Sequence, residues 1–158
     1  MTTLPHGYVV RLADAADVDV LVRHRARMWF DMGERDETAL AEMAARFHPW
    51  VLERMAAGDY RTWLVEHDGR VVAGAAAWER VRHPPVGRAN PRYVYVLNVY
   101  TEPEHRRRGL ARVLLETIIA WAREQGHDTI DLTASAEGQP LYASLGFVHV
   151  NEMRLVLG

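Results

Sequence analysis

Arg92-Tyr-Val-Tyr-Val-Leu-Asn-Val-Tyr100, followed by Thr101-Glu-Pro-Glu-His105, Arg106-Arg-Arg-Gly-Leu-Ala111 and Arg112-Val-Leu-Leu-Glu-Thr-Ile-Ile-Ala-Trp121, reads as a strand, a tight turn and a helix. The Val and Tyr residues of 92–100 suit a pleated, largely buried strand. Residues 101–105 break that pattern. From Leu110 the apolar residues return at helical spacing, at Val113, Leu114, Ile118 and Trp121, while Arg112, Glu116, Arg123 and Glu124 fall off the stripe. Gly126 follows where a left-handed helix cap is cheap.

The chemistry of this stretch lies in its turn. The first N–H groups of a helix have no partner within it, and the macrodipole adds partial positive charge there. Gly109 and Ala111 put little side chain between that backbone and a ligand, and Arg106, Arg107 and Arg108 add cationic donors. The arrangement suits a phosphate or pyrophosphate. It suits equally a solvated basic turn ahead of an ordinary amphipathic helix, because short glycine motifs say little alone. It is not an ATP-type phosphate loop, since no Gly-Lys-Ser/Thr ending follows Gly109.

Arg106-x-x-Gly109-x-Ala111 between a strand and a helix resembles the Arg/Gln-x-x-Gly-x-Gly/Ala signature of the GNAT superfamily of acyl-CoA-dependent N-acyltransferases. Tyr142-Ala-Ser-Leu-Gly146-Phe147 is similar to that family's Tyr-x-x-x-Gly-Phe segment and follows in the right order. The resemblance covers residues 93–147. It implies acetyl-CoA as acyl donor, with the pyrophosphate on Arg106, Arg107, Arg108, Gly109, Leu110 and Ala111. It implies pairing of the pantetheine amides with the backbone of Val99, Tyr100 and Thr101, and further cofactor contact at Glu137 and Gly138. Tyr142 would be the acid that protonates the leaving thiolate; a phenol suits that task because both groups titrate above neutrality. Read alone, Tyr142 is equally a packing residue. Glu137 departs from the pattern, which often has Asn there, and Ser135 is the nearby polar substitute.

Length and composition set wider bounds. The 158 residues suit a single domain over residues 1–158, with one core. A net charge of −2 lacks the basic excess of a nucleic-acid binder, so His105-Arg-Arg-Arg108 is a poor case for that function. No cysteine is present, which excludes disulfides, thiolate metal sites and a cysteine nucleophile. His48, His83 and His105 show no metal-ligand spacing, so no metal is expected. No apolar run has the length of a membrane span or the form of a signal peptide, which points to the cytoplasm and away from a membrane.

Taken in order, Tyr8–Leu12 is a strand candidate and Asp14 an N-cap, with Asp17 in the first turn. Val18, Leu21, Val22, Arg25, Met28 and Trp29 then share one helix face, and Gly33 ends that helix. Asp36 or Thr38 caps a second helix, in which Pro49 predicts a kink or a break into two. Tyr60–Glu66, the turn His67-Asp68-Gly69 and Arg70–Glu79 form a hairpin. Residues 81–91 are a loop, 128–133 a strand, 140–145 a short helix, and 147–150 and 153–157 two final strands. The five tryptophans read mostly as core. This order implies an α/β (α+β mixed) fold, a mixed, mostly antiparallel sheet with helices on both faces. The resemblance adds that two central strands, 92–100 and 128–133, splay to admit the pantetheine arm.

The function so implied is acetyl transfer from acetyl-CoA to a primary amine of a small molecule or peptide; a homodimer is compatible with it. The competing reading is an acyl-CoA-binding sensor without turnover. Glu79, Asn98 (through a water) and Glu152 are the candidates for a general base, and each reads also as structural. The acids of Asp31-Met-Gly-Glu-Arg-Asp-Glu37 would either favour a cationic amine or serve as caps and loop solvation.

Overall fold

The computed structural model describes residues 1–157. Its elements are β1 (Tyr8–Leu12), a 3-10 turn (Ala15–Asp17), α1 (Val18–Asp31), α2 (Glu37–Ala57), β2 (Tyr60–His67) and β3 (Arg70–Val81). There follow β4 (Arg92–Thr101), a second 3-10 turn (Pro103–His105), α3 (Leu110–Glu124), β5 (Ile130–Leu132) and α4 (Gln139–Ser144). The strands form one sheet in the order β1-β2-β3-β4-β5. All neighbours are antiparallel except β4 and β5, which run parallel. The mixed, mostly antiparallel sheet expected from the sequence is present.

The ends of the elements follow from local chemistry. Asp14 accepts from the Ala16 N–H and Asp17 returns the bond to the Asp14 N–H, closing a capping box. Asp36 caps α2 through the Ala39 N–H at 3.0 Å. Asp68 and Gly69 both take positive φ, +49° and +70°, as a two-residue hairpin turn requires. Gly126, at φ +76°, closes α3: its N–H and that of His127 reach back to the Arg123 and Ala122 carbonyls.

Each sheet face buries its own cluster. On one face α3 sets Leu114, Leu115 and Ile118 against Trp63, Val65, Ala75 and Val94. On the other, Leu21 of α1 and Phe47 and Val51 of α2 meet Tyr60, Leu64 and Ala76. Val51, Leu64, Val94, Leu114, Leu115 and Ile118 are fully buried, so each face stands on residues without contact to water.

Three expectations are corrected. Pro49 does not break α2, which runs unbroken from Glu37 to Ala57. The proline faces solvent, as does Ala45, whose carbonyl loses its helical partner and can bond water instead. The strand expected at 128–133 is only Ile130–Leu132. The two final strands do not form: residues 147–157 carry no strand pairing, and Val148, Met153 and Leu155 are 82%, 96% and 83% exposed. Alternating apolar residues favour a strand, but a strand exists only on a partner edge, and the three residues of β5 offer little ladder to extend.

Two irregularities in β4 prepare the site. Gly74 of β3 pairs with Tyr100 and Ala76 with Leu97, so β4 carries one extra residue, and Asn98 within this bulge has φ +54°. On its other side, β4 pairs with β5 only at Val94, Tyr95 and Val96. Beyond Val96 the strands part, and the β5-facing edge of residues 97–101 has no ladder partner among the described residues.

Candidate functional site

The parting of β4 and β5 opens a cleft. Its floor is β4 from Tyr95 to Thr101. One wall is the C-terminal half of α1, with Arg25, Met28 and Trp29, and Met32 just beyond its end. The opposite wall is the turn into α3 together with Ser135, Glu137, Gly138, Leu141 and Tyr142. Of the residues singled out in the sequence, Val99, Tyr100, Thr101, Arg106, Arg107, Gly109, Leu110, Ala111, Glu137, Gly138 and Tyr142 all line this one cleft. Arg108 does not; it is exposed, with Nη2 3.5 Å from the Glu104 carbonyl.

The turn 106–109 is built by two left-handed residues. Arg107 has φ +62° and Gly109, the N-cap of α3, has φ +78°. No side chain caps α3, so the amides of its first turn have no side-chain partner. The position a Gly109 side chain would take is nearly open, with only the Thr2 methyl at 3.7 Å. Arg106 is used differently from the simple cationic donor the sequence suggests. Its Nε donates to the Thr101 carbonyl at 2.9 Å, and an Nη bonds Asp31. Arg106 therefore ties the end of β4 to the end of α1 and holds the turn against the cleft.

Glu102 fixes the same corner from the other side. Its carboxylate accepts from Arg27 at 2.6 Å and from the Tyr100 hydroxyl at 3.2 Å, and lies 3.5 Å from His24 Nε2. Burial lowers the His24 pKa from its ordinary 6.5 to about 4, against the opposing pull of Glu102.

Tyr142 sits on α4 with its ring packed edge-on to Phe147, centroids 5.9 Å apart. Burial raises its pKa above the ordinary phenol value, so the neutral, proton-donating form is held. The ring lies directly over Gly138: a Cβ there would meet Tyr142 Cε2 at 2.7 Å. Gly138 is thus needed for the absence of a side chain, while its own φ of −79° is ordinary. The Ser135 hydroxyl accepts from the Gly138 N–H at 3.2 Å, so it helps shape the turn into α4.

The general-base candidates separate. Glu79 is engaged with Arg61 at 2.8 Å, His127 at 3.1 Å and Arg92 at 3.3 Å, away from the cleft. Glu152 is exposed and outside it. The Asn98 side chain faces inward, accepting from Arg25 at 2.7 Å and donating to the Tyr60 hydroxyl at 3.0 Å. The acids of 31–37 do not form a wall. Glu34 accepts from the backbone of Arg35 and Asp36, and Asp36 caps α2. Only Asp31 reaches the cleft, paired to Arg106.

Sequence reasoning passed over several lining residues. Tyr95 bonds Thr133 across the strand junction at 2.5 Å, where the ladder ends. Trp29, read as core, is 38% exposed at the cleft. Arg112 and Arg154 also reach the cleft. Helical periodicity could have placed Arg112 in the first turn of α3, but no local pattern marks Arg154.

The model of the Acetyltransferase (GNAT) family matches residues 21–147. A GCN5-related N-acetyltransferase from Ralstonia eutropha JMP134 superimposes with a TM-score of 0.90 at 33% identity, covering 96% of this chain and 99% of that one. A "predicted acetyltransferase with acetyl-CoA" from Clostridium acetobutylicum gives 0.88 at 27% identity, covering 95% and 96%. N-acetyltransferase 8 of Mus musculus is 32% identical over 93 residues, 57% of this chain and 39% of that protein. The chain therefore spans about two fifths of the length of that relative. Since the match runs from within the first helix to Gly146-Phe147 just past the last, and takes in every lining residue of the cleft but Arg154, the chain belongs to the Acetyltransferase (GNAT) family.

Proposed function

We propose that this chain transfers an acetyl group from acetyl-CoA directly to a primary amine of a small molecule or peptide, with no covalent enzyme intermediate. The observation that carries the proposal is the meeting in one cleft of an unpaired strand edge, an uncapped helix start and a tyrosine hydroxyl. The open edge of β4 offers backbone donors and acceptors to the amides of the pantetheine arm, as an added strand would. The first amides of α3, with Arg107 beside them, suit a pyrophosphate. The acetyl-CoA named with the Clostridium acetobutylicum relative supports the same donor here.

In this mechanism the neutral amine attacks the thioester carbonyl carbon. Backbone donors of the β4 bulge stabilise the oxygen as it gains charge. The carbon–sulfur bond then breaks, and Tyr142 gives its proton to the departing sulfur. The proton released by the attacking nitrogen leaves through solvent; Glu79 and Glu152, two of the general-base candidates, lie outside the cleft. The proposed setting is the cytoplasm.

The test is release of free thiol from acetyl-CoA with a panel of amines and peptides, beside the shift in melting temperature that acetyl-CoA produces. Thiol release dependent on an amine is the expected result. A rise in melting temperature with no amine-dependent thiol release would instead identify a sensor that binds without turnover.

A further inference from the structure

Arg25 is half-buried in the α1 wall of the cleft and forms no ion pair among the described residues. Its guanidinium carbon lies 5.0 Å from the Phe47 ring centroid and 5.9 Å from that of Trp29. It makes one hydrogen bond, from Nη1 to Asn98 Oδ1, while its Nε is buried without a partner. A guanidinium has five N–H donors in a planar fork. Keeping the Nε–H of that fork buried and unused is costly, and burial lowers the pKa of the group. Such a group is accounted for when a ligand brings the missing anion.

The surroundings identify the anion's place. Asn98, which orients Arg25, immediately precedes Val99 in the bulged part of β4. Arg25 and its aromatic neighbours pack with α1 and α2 on one sheet face, whereas the uncapped start of α3 belongs to the other. The donor's phosphates and the Arg25 charge thus address opposite sides of the reacting strand. No cleft acid pairs with Arg25: Asp31 is bound to Arg106, and Glu137 forms no ion pair with it.

We propose that Arg25 recognises a carboxylate of the acceptor, so that the amine acetylated here belongs to a molecule that also carries a carboxylate. The inference rests on the acetyl-transfer reading and names the substrate class of that same site. It reverses the cationic preference suggested by the acid-rich 31–37 segment, because Glu34 and Asp36 are taken up by backbone N–H groups, Asp31 by Arg106, and Glu37 does not line the cleft.

Matched α-amino acids and their primary amides test this, beginning with L-phenylalanine and L-phenylalaninamide in the thiol-release assay. The amide's amine is less basic and more often neutral, so intrinsic reactivity favours the amide and a preference for the acid must come from the site. The expected result is a kcat/KM about 10-fold or more higher for the acids. Arg25→Gln lowers that of the acids by about 10–100-fold, as removal of a charged hydrogen-bond donor does, and leaves the acetyl-CoA KM in place. Arg25→Lys, which keeps the charge and loses the fork, retains part of the preference. Equal use of acids and amides by the wild-type protein, or an unchanged ratio in a folded Arg25→Gln protein, overturns the proposal. If no probe of either kind releases thiol, calorimetry with CoA present decides it. Tighter binding of N-acetyl-L-phenylalanine than of N-acetyl-L-phenylalaninamide, lost in Arg25→Gln, supports Arg25; equal or absent binding overturns it. The acetyl-transfer reading is judged separately, by thiol release across the wider amine panel.

Discussion

Tyr142 owes the place of its ring to a neighbour that has no side chain, Gly138. Its ring occupies the volume that any side chain at position 138 would fill. Tyr142→Phe removes one oxygen and keeps the ring against Phe147. Because the phenol acts only as the carbon–sulfur bond breaks, kcat and kcat/KM should fall together by about 10²–10⁴-fold, with acetyl-CoA affinity retained. Single-turnover kinetics measure this even where product release limits kcat; wild-type single-turnover rates would make Tyr142 a packing residue. Gly138→Ala should cost about 10–100-fold without touching the hydroxyl, by pushing the ring out of line. The tyrosine was legible in the sequence through its motif. The steric role of Gly138 was not, since it depends on where the ring four residues later comes to lie.

At the scale of elements, the start of α3 is where an anion would be held. Gly109 is left-handed there, so any side chain adds strain of about 1 kcal/mol, and a carboxylate adds like charge beside the proposed phosphates. Acetyl-CoA should raise the melting temperature of the wild-type protein and, somewhat less, of Gly109→Ala. With Gly109→Glu that rise should vanish. Thermal shift over an acetyl-CoA series measures all three, and an undiminished rise in a folded Gly109→Glu protein would remove the turn from the site. The helix and its glycines were readable from spacing. The use of Arg106 as a brace between Thr101 and Asp31 was not, because Asp31 lies 75 positions away in the chain.

For the whole molecule, the joint between α1 and the end of β4 carries a pH dependence. His24 is buried against Glu102 and the Tyr100 ring, with Arg23 and Arg27 beside the same carboxylate. Its folded-state pKa, about 4, lies below the ordinary 6.5 that the unfolded chain restores. Between those values the unfolded chain binds more protons than the folded one, so stability rises with pH across that window. The stability His24 contributes in its neutral form is therefore complete above about pH 6.5 and is lost as the pH falls toward 4. Each pH unit inside that window changes it by at most about 1.4 kcal/mol. Urea midpoints measured from about pH 7 down to about pH 4.5 should decline, and His24→Gln should flatten the decline. An identical slope in the variant would assign the acid sensitivity to other groups.

By itself the sequence determined what depends on near neighbours in the chain. The Asp14 cap, a cap at Asp36 or Thr38 (Asp36 in the fold), the Asp68-Gly69 hairpin, the amphipathic α3 and the glycine that ends it all rest on contacts within a few residues. The two motifs around Arg106 and Tyr142 likewise pointed to the cleft, because each combines a turn with residues adjacent to it. Tertiary structure alone decided which side chains remain free to act. Arg106, Glu34 and Asp36 are charged in the sequence but already engaged in the fold, whereas Arg25, read as one more residue on a helix face, is left without a counter-ion among the described residues. It also decided that the strand pattern of 147–157 stays unpaired and that Pro49 leaves α2 continuous. In each case the outcome depends on a partner, a strand edge or water at one carbonyl, and only the folded chain determines which partner is within reach.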